Sequence, residues 1–173
     1  MHEGAKLTRV LHVLDKISVG SGVSVVVMNY YSKLDHKKIT FDFMLNEDVD
    51  EETRTYIESN GSKIFIMPNL KTANTFKYIK ALKRFYKTHD YKIVHGHVVN
   101  SAVFYLGIAR KKVLFRIIHS HNTRSSDVFW KRIRNWLLTR FIRSVANSYM
   151  ACSEIAAEFL FGKNNTIKRM MKL

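Results

Sequence analysis

Two short apolar runs end in paired histidines: Tyr91-Lys92-Ile93-Val94-His95-Gly96-His97 and Phe115-Arg116-Ile117-Ile118-His119-Ser120-His121-Asn122. An imidazole donates and accepts hydrogen bonds, moves a proton near neutral pH and binds transition metals. Four of them at two strand ends point to one chemically loaded sheet edge. Neutral imidazoles suit zinc. However, the single cysteine, Cys152, lies elsewhere, and each His-x-His pair is expected to turn its two rings to opposite faces. No metal ligand set is therefore expected. The expected use is hydrogen bonding to hydroxyls and phosphate, or positioning of a reacting hydroxyl. At least one histidine, His95 or His12, is expected to be a core residue.

A third chemical element is the loop Lys16-Ile17-Ser18-Val19-Gly20-Ser21-Gly22, after the apolar run Val10-Leu11-His12-Val13-Leu14. Glycines let backbone N–H groups approach a phosphate, and a following helix N-terminus adds partial positive charge. The plain alternative is a tight turn, because the third glycine of a dinucleotide fingerprint is missing. Ser120 sits between histidines without the G-x-S-x-G surroundings of a nucleophile elbow. Paired carboxylates are lacking as well, since Asp15 and Glu154 are the only acids expected at the strand ends. These absences argue against a hydrolase or a nucleotide-binding enzyme of the usual kinds.

Alternating elements must position these groups. Val10–Leu14, Ile39–Leu45, Lys63–Met67, Tyr91–His95, Val113–Ile118 and Tyr149–Cys152 read as strands. Between them Val23–Leu34, Asp50–Ser59, Thr75–His89, Ser101–Ala109 and Asp127–Ala146 read as helices, and a last one runs from Ser153-Glu154 to Phe161-Gly162. Asp50–Ser59 has an acidic start and an Asn60-Gly61 stop. Thr75–His89 places Tyr78, Ala81, Leu82, Phe85 and Tyr86 on one face and lysines and an arginine on the other. Val25-Val26-Val27 is a poor helix former that burial has to override. Strand–helix alternation predicts an α/β fold: a Rossmann-like, doubly wound parallel sheet. Ligands of such sheets bind beyond the carboxyl ends of the strands.

The 173 residues, 46% of them apolar, suffice for one domain with a full core. Seven glycines and one proline leave little room for linkers. One cysteine excludes an intrachain disulfide, which fits a reducing cytosol. No apolar run reaches the roughly 20 residues of a membrane helix, and Met1–Lys6 lacks a signal core. A cytoplasmic location is expected. Lys and Arg exceed Asp and Glu by 29 to 14, a net charge of +15 that attracts polyanions. Arg132, Trp136, Arg140 and Arg143 share one arc of the Asp127–Ala146 helix, with Ile133, Leu137, Phe141 and Val145 on another. A basic face with an aromatic resembles an interfacial membrane contact, although a solvated face explains it too. No recognised nucleic-acid motif is present, which speaks against nucleic acid as the partner.

The order and spacing of these pieces resemble the N-terminal domain of family-4 glycosyltransferases of the GT-B fold, in particular bacterial capsule and exopolysaccharide enzymes. The resemblance rests on Arg9-Val10-Leu11-His12-Val13, Met28-Asn29-Tyr30-Tyr31, Phe41-Asp42-Phe43 and Asp90 to His97. It continues through Ile118 to Thr123, Ala151-Cys152-Ser153-Glu154 and Phe159-Leu160-Phe161-Gly162. It implies the acceptor-holding half of a retaining enzyme that moves a sugar from a nucleotide donor to a saccharide or lipid-linked acceptor without an essential metal or other cofactor. It places His119 or His121 at the reaction centre. Gly20, Ser21 and Gly22 approach the donor phosphates, with Ser21 and Ser24 departing from the commoner glycine and acid. His97, Asn122, Ser153 and Glu154 are the expected acceptor contacts. The expected domain spans residues 1–163. Residues 164–173 read as a divergent tail where the donor-binding domain usually begins, so the chain is expected to be a truncated or split enzyme, inactive alone. A separately encoded donor domain is then the expected partner, or none, and self-association through the exposed partner face is expected. The competing reading is a non-catalytic basic module that binds anionic membrane or a polyanion.

Overall fold

A computed structural model describes residues 7–70, 74–121 and 140–161. Among these residues six strands form one sheet: β1 (Thr8–Val13), β2 (Ile39–Leu45), β3 (Ile64–Ile66), β4 (Ile93–Gly96), β5 (Phe115–Ser120) and β6 (Ser148–Ala151). All neighbours run parallel, in the order β3-β2-β1-β4-β5-β6. That order is the doubly wound one, and its switch point lies between β1 and β4. The helices are α1 (Gly22–Tyr31), α2 (Glu51–Ser59), α3 (Thr75–Thr88), α4 (Ala102–Ala109), a helical stretch α5 at 140–145, and α6 (Glu154–Phe161). A short 3-10 turn, Val99–Ser101, precedes α4.

Each strand sends alternate side chains to opposite faces, and two cores result. Leu11, Val13, Met44, Val94 and Ile118 pack with Tyr78, Leu82, Tyr105, Ile142 and Leu160 from α3 to α6. Phe43 and Leu45 pack with Val27, Tyr31 and Ile57 from α1 and α2. In α1 the buried positions Ser24, Val27 and Tyr31 keep helical spacing while Val25 and Val26 are exposed, so burial does override the valine run. The hydroxyl of Tyr31 donates to the Ile57 carbonyl at 3.1 Å and lies 2.9 Å from Ser62 Oγ, whose own hydroxyl can donate to it, which fastens α1 to the end of α2. Asp50 caps α2 by accepting from the Thr53 backbone N–H at 2.8 Å, and Gly61 stops it at φ 75°.

Two expectations shift. Strand β5 starts two residues later than the apolar run, because its register with β4 begins at Phe115 opposite Ile93. Val113 is still buried, but Leu114 is 63% exposed. As a result His119 and Ser120 lie inside the strand rather than after it. In α5, Phe141 is exposed, and Ile142 and Val145 make the buried side. The rest of the expected Asp127–Ala146 helix, with Arg132 and Trp136, lies outside the described residues.

Candidate functional site

The register explains how the histidines meet. His12 of β1 stands opposite His95 of β4, and Val13 opposite Gly96. His95 stands opposite Ile117, so two residues further on His97 and His119 bring their rings to 5.4 Å. All these side chains alternate with Leu11, Val94 and Ile118 and so occupy the sheet face opposite them. Within each His-x-His pair the rings stack on one side, at 4.4 Å for His95 and His97 and 4.1 Å for His119 and His121. This corrects the expectation that the pairs split. An extended chain returns residue i+2 to the face of residue i, so the objection to a shared ion does not apply.

Five imidazoles therefore form one array. His12 Nδ1 lies 3.0 Å from His97 Nε2, His97 Nδ1 lies 2.8 Å from His121 Nε2, and His95 Nε2 lies 3.2 Å from His119 Nδ1. Each contact needs one N–H and one bare nitrogen. His97 uses both nitrogens, so in its neutral form it donates on one side and accepts on the other. Two buried ring nitrogens, His12 Nε2 and His119 Nε2, have no hydrogen-bond partner among the described residues. Burial, reinforced by neighbouring imidazoles, holds His95 down at about 3 and His119 at about 4, and pushes His12 and His97 well below the ordinary value. Burial lowers His121 as well. The array is thus uncharged at neutral pH. Of the expected core histidines His12 is indeed buried, against Phe41 at 4.0 Å, but the second buried ring is His119, and His95 is only half-buried.

The loop after β1 is built from serines. Ser21 caps α1, its hydroxyl accepting from the Ser24 N–H at 3.4 Å. Ser24 is buried, donates to the Lys16 carbonyl at 3.0 Å and accepts from the Ser18 N–H at 3.2 Å. It fixes the loop instead of facing a ligand. A Cβ at Gly20 or Gly22 would meet nothing within 4 Å, so no packing among the described residues requires these glycines. At the switch point a cleft of ≈ 230 Å³ opens between this loop and the end of β4. Asp15, Lys16, Ser21 and Val23 line one side, and His97 to Asn100 the other. His97 thus joins the histidine array to the glycine loop. His119 and His121 do not line the cleft; His121 connects to it through His97.

Ser153 and Glu154 lie exposed at the same carboxyl edge, beyond β6. Ser153 Oγ accepts from the Ala156 N–H at 3.2 Å and starts α6. Asn122 lies outside the described residues. Arg140 and Arg143 are exposed on α5, and Arg143 donates to the Phe161 carbonyl.

One buried polar cluster escaped the sequence reading. Asp42 is fully buried, and its oxygens accept from Arg9 at 2.8 and 3.0 Å, from the Lys63 N–H at 2.7 Å and from Tyr91 Oη at 2.6 Å. Burial and the Asp42 carboxylate both raise the Tyr91 phenol. The partners lie 33, 21 and 49 residues from Asp42. The only sequence signal was a charged residue at a core position of a strand.

Residues 20–165 match the family described as Glycosyltransferase Family 4. The chain belongs to that family. Across 173 residues it is 34% identical to a Bacillus subtilis (strain 168) protein named "Putative glycosyltransferase EpsF", covering 95% of this chain and 44% of the relative. This family-4 chain also shares its fold with the crystal structure of Acinetobacter baumannii MurG, at a TM-score of 0.53 and 12% identity, over 86% of this chain and 42% of that one. It therefore spans less than half the length of either protein. Among the described residues no helix is long and apolar enough to cross a membrane.

Proposed function

We propose that this chain is the acceptor-side half of a retaining glycosyltransferase. It transfers a sugar from a nucleotide-sugar donor to a saccharide or lipid-linked acceptor in surface polysaccharide synthesis. The observation that carries the reading is the switch-point cleft, where the glycine loop and His97 face each other in a family-4 chain. Gly20, Ser21 and Gly22 approach the donor phosphates with open space before both glycines and the α1 N-terminus behind them. His97, with Asn122, Ser153 and Glu154, holds the acceptor. His119 or His121 sits at the reaction centre, and a neutral imidazole there takes the hydrogen bond of the acceptor hydroxyl. No metal is essential to the chemistry. The donor is gripped by residues beyond these 173, whether further along the polypeptide or on a separate one. The enzyme works on the cytoplasmic side, drawn to the anionic inner leaflet by its charge of +15.

The test is reconstitution. The carboxyl-terminal half of the 34%-identical relative is expressed separately and mixed with this chain, and nucleotide-sugar turnover is followed. Turnover is expected from the mixture and none from this chain alone. In the mixture His121→Ala or His119→Ala lowers kcat by about 10²-fold or more. Robust turnover by the 173 residues alone would sink the half-enzyme reading. An unchanged kcat in both variants would remove the histidines from the reaction centre.

A further inference from the structure

We propose that His97, His119 and His121 bind one borderline divalent cation of the zinc class, such as Zn²⁺ or Co²⁺, at the mouth of the sheet. Each residue offers a ring nitrogen, and the three nitrogens lie within 4.8 Å of one another. Around one ion, at Zn–N about 2.0–2.1 Å, tetrahedral ligands stand about 3.3 Å apart. Rotation of imidazoles about their side-chain bonds closes that gap.

The hydrogen-bond pattern assigns the nitrogens. His97 Nε2 is engaged by His12 and His119 Nδ1 by His95. The nitrogens left for the ion are His97 Nδ1, His121 Nε2, which already lies 2.8 Å from it, and the buried, unpartnered His119 Nε2. Ligating histidines are characteristically backed by a partner on the other ring nitrogen, which fixes their tautomer. His12 and His95 provide that backing for two of the three. The ring-to-ring contacts require bare nitrogens within the array, so it presents lone pairs rather than an all-protonated face. A cation also answers the cost of leaving His119 Nε2 buried without a partner.

His12, His95 and His97 form a second trio with the same spacing. His12 is buried and covered by Phe41 at 4.0 Å, and His97 is common to both groups. The outer trio is half-open through His97 and His121 and is the one an ion reaches. Three protein ligands leave a fourth position for water or an added ligand. On the transferase reading an ion there occupies the nitrogens that would face the acceptor hydroxyl, so it shuts the site. The binding itself does not depend on that reading.

The experiment uses the untagged chain, stripped with chelator and titrated with Co²⁺. We expect saturable visible ligand-field absorption of a tetrahedral site, one ion per chain, displaced by Zn²⁺. His121→Ala, at the half-exposed edge, weakens binding at least tenfold, whereas the pair His36→Ala/His89→Ala, half-buried and packed against Tyr31 and Phe85 away from the array, leaves it unchanged. Circular dichroism confirms that each variant is folded. His97→Ala, if folded, repeats the loss. An absence of ligand-field absorption up to millimolar Co²⁺ overturns the proposal, as does equal affinity in wild type and His121→Ala.

Discussion

Two of the buried polar clusters on the sheet, around Asp42 and around His97, are built oppositely. Around Asp42 each carboxylate oxygen has partners, from Arg9, Lys63 and Tyr91, drawn from or next to four strands. Around His97 the rings satisfy one another only in part, and His12 Nε2 and His119 Nε2 are left without a partner among the described residues. A fully connected buried network holds a fold together, whereas a partly satisfied one stays costly until something else arrives. The Asp42 cluster is architecture. The histidine array, at the carboxyl edge beside the switch-point cleft, is the one that the proposed ion would complete.

The largest test of this contrast is acidification. Unfolded histidines take a proton near 6.5, while His95 does so at about 3 and His119 at about 4. Between those values the unfolded chain binds more protons, so stability falls as pH falls. Stability is expected to be level above about pH 7 and to decline steadily below about 6.5. Denaturant midpoints in metal-free buffer from alkaline to acid pH read this directly. A flat profile would mean that the array is not held neutral by the fold.

Next is Asp42→Ala, which leaves the Lys63 N–H and the Tyr91 hydroxyl without an acceptor and Arg9 without its ion pair. A loss of about 3 kcal/mol is expected in urea unfolding, with no change in Co²⁺ binding. A loss below about 1 kcal/mol would make the two clusters energetically alike. Gly96→Ala should follow at about 1–3 kcal/mol, because its Cβ would run into the ring and hydroxyl of the buried Tyr105. The histidine between β4 and the cleft depends on that seat. Thermal unfolding at neutral pH measures the effect, and a neutral substitution would show that Tyr105 moves aside freely. Smallest is Ser153→Ala, which removes the α6 cap at an exposed position and should cost about 1 kcal/mol. If that variant also left turnover of the reconstituted enzyme untouched, Ser153 would be a cap and nothing more.

Much of the fold could be read from the chain because parallel strands buried on both faces are continuous apolar runs, and amphipathic helices such as α3 display their period. The boundaries failed where burial and pairing part company. Val113 and Leu114 extend an apolar run, yet the ladder starts at Phe115. The site was legible in its residue types and not in its geometry. Both His-x-His pairs announced themselves, but that His12 joins them depends on β1 lying beside β4, a long-range fact. The same holds for Asp42, whose nearest partner in sequence, Lys63, is 21 residues away. Ser24 was visible as a departure from the family pattern. Its role as the buried tie of the glycine loop was not.

The order β3-β2-β1-β4-β5-β6 also bears on how the chain is made. Of these six strands the one synthesised earliest, β1, sits inside the sheet, and one of its edges waits for Ile93 to Gly96. At roughly 5–20 residues per second on the ribosome, that edge stays open for seconds while β2 and β3 join the other side. A nascent chain carrying β1 to β3 alone is thus a half-sheet with a bare, apolar, parallel-pairing border, the form most prone to stick to its neighbours. Chaperone demand should peak just before β4 leaves the exit tunnel and drop once His97 donates its N–H to the Val13 carbonyl.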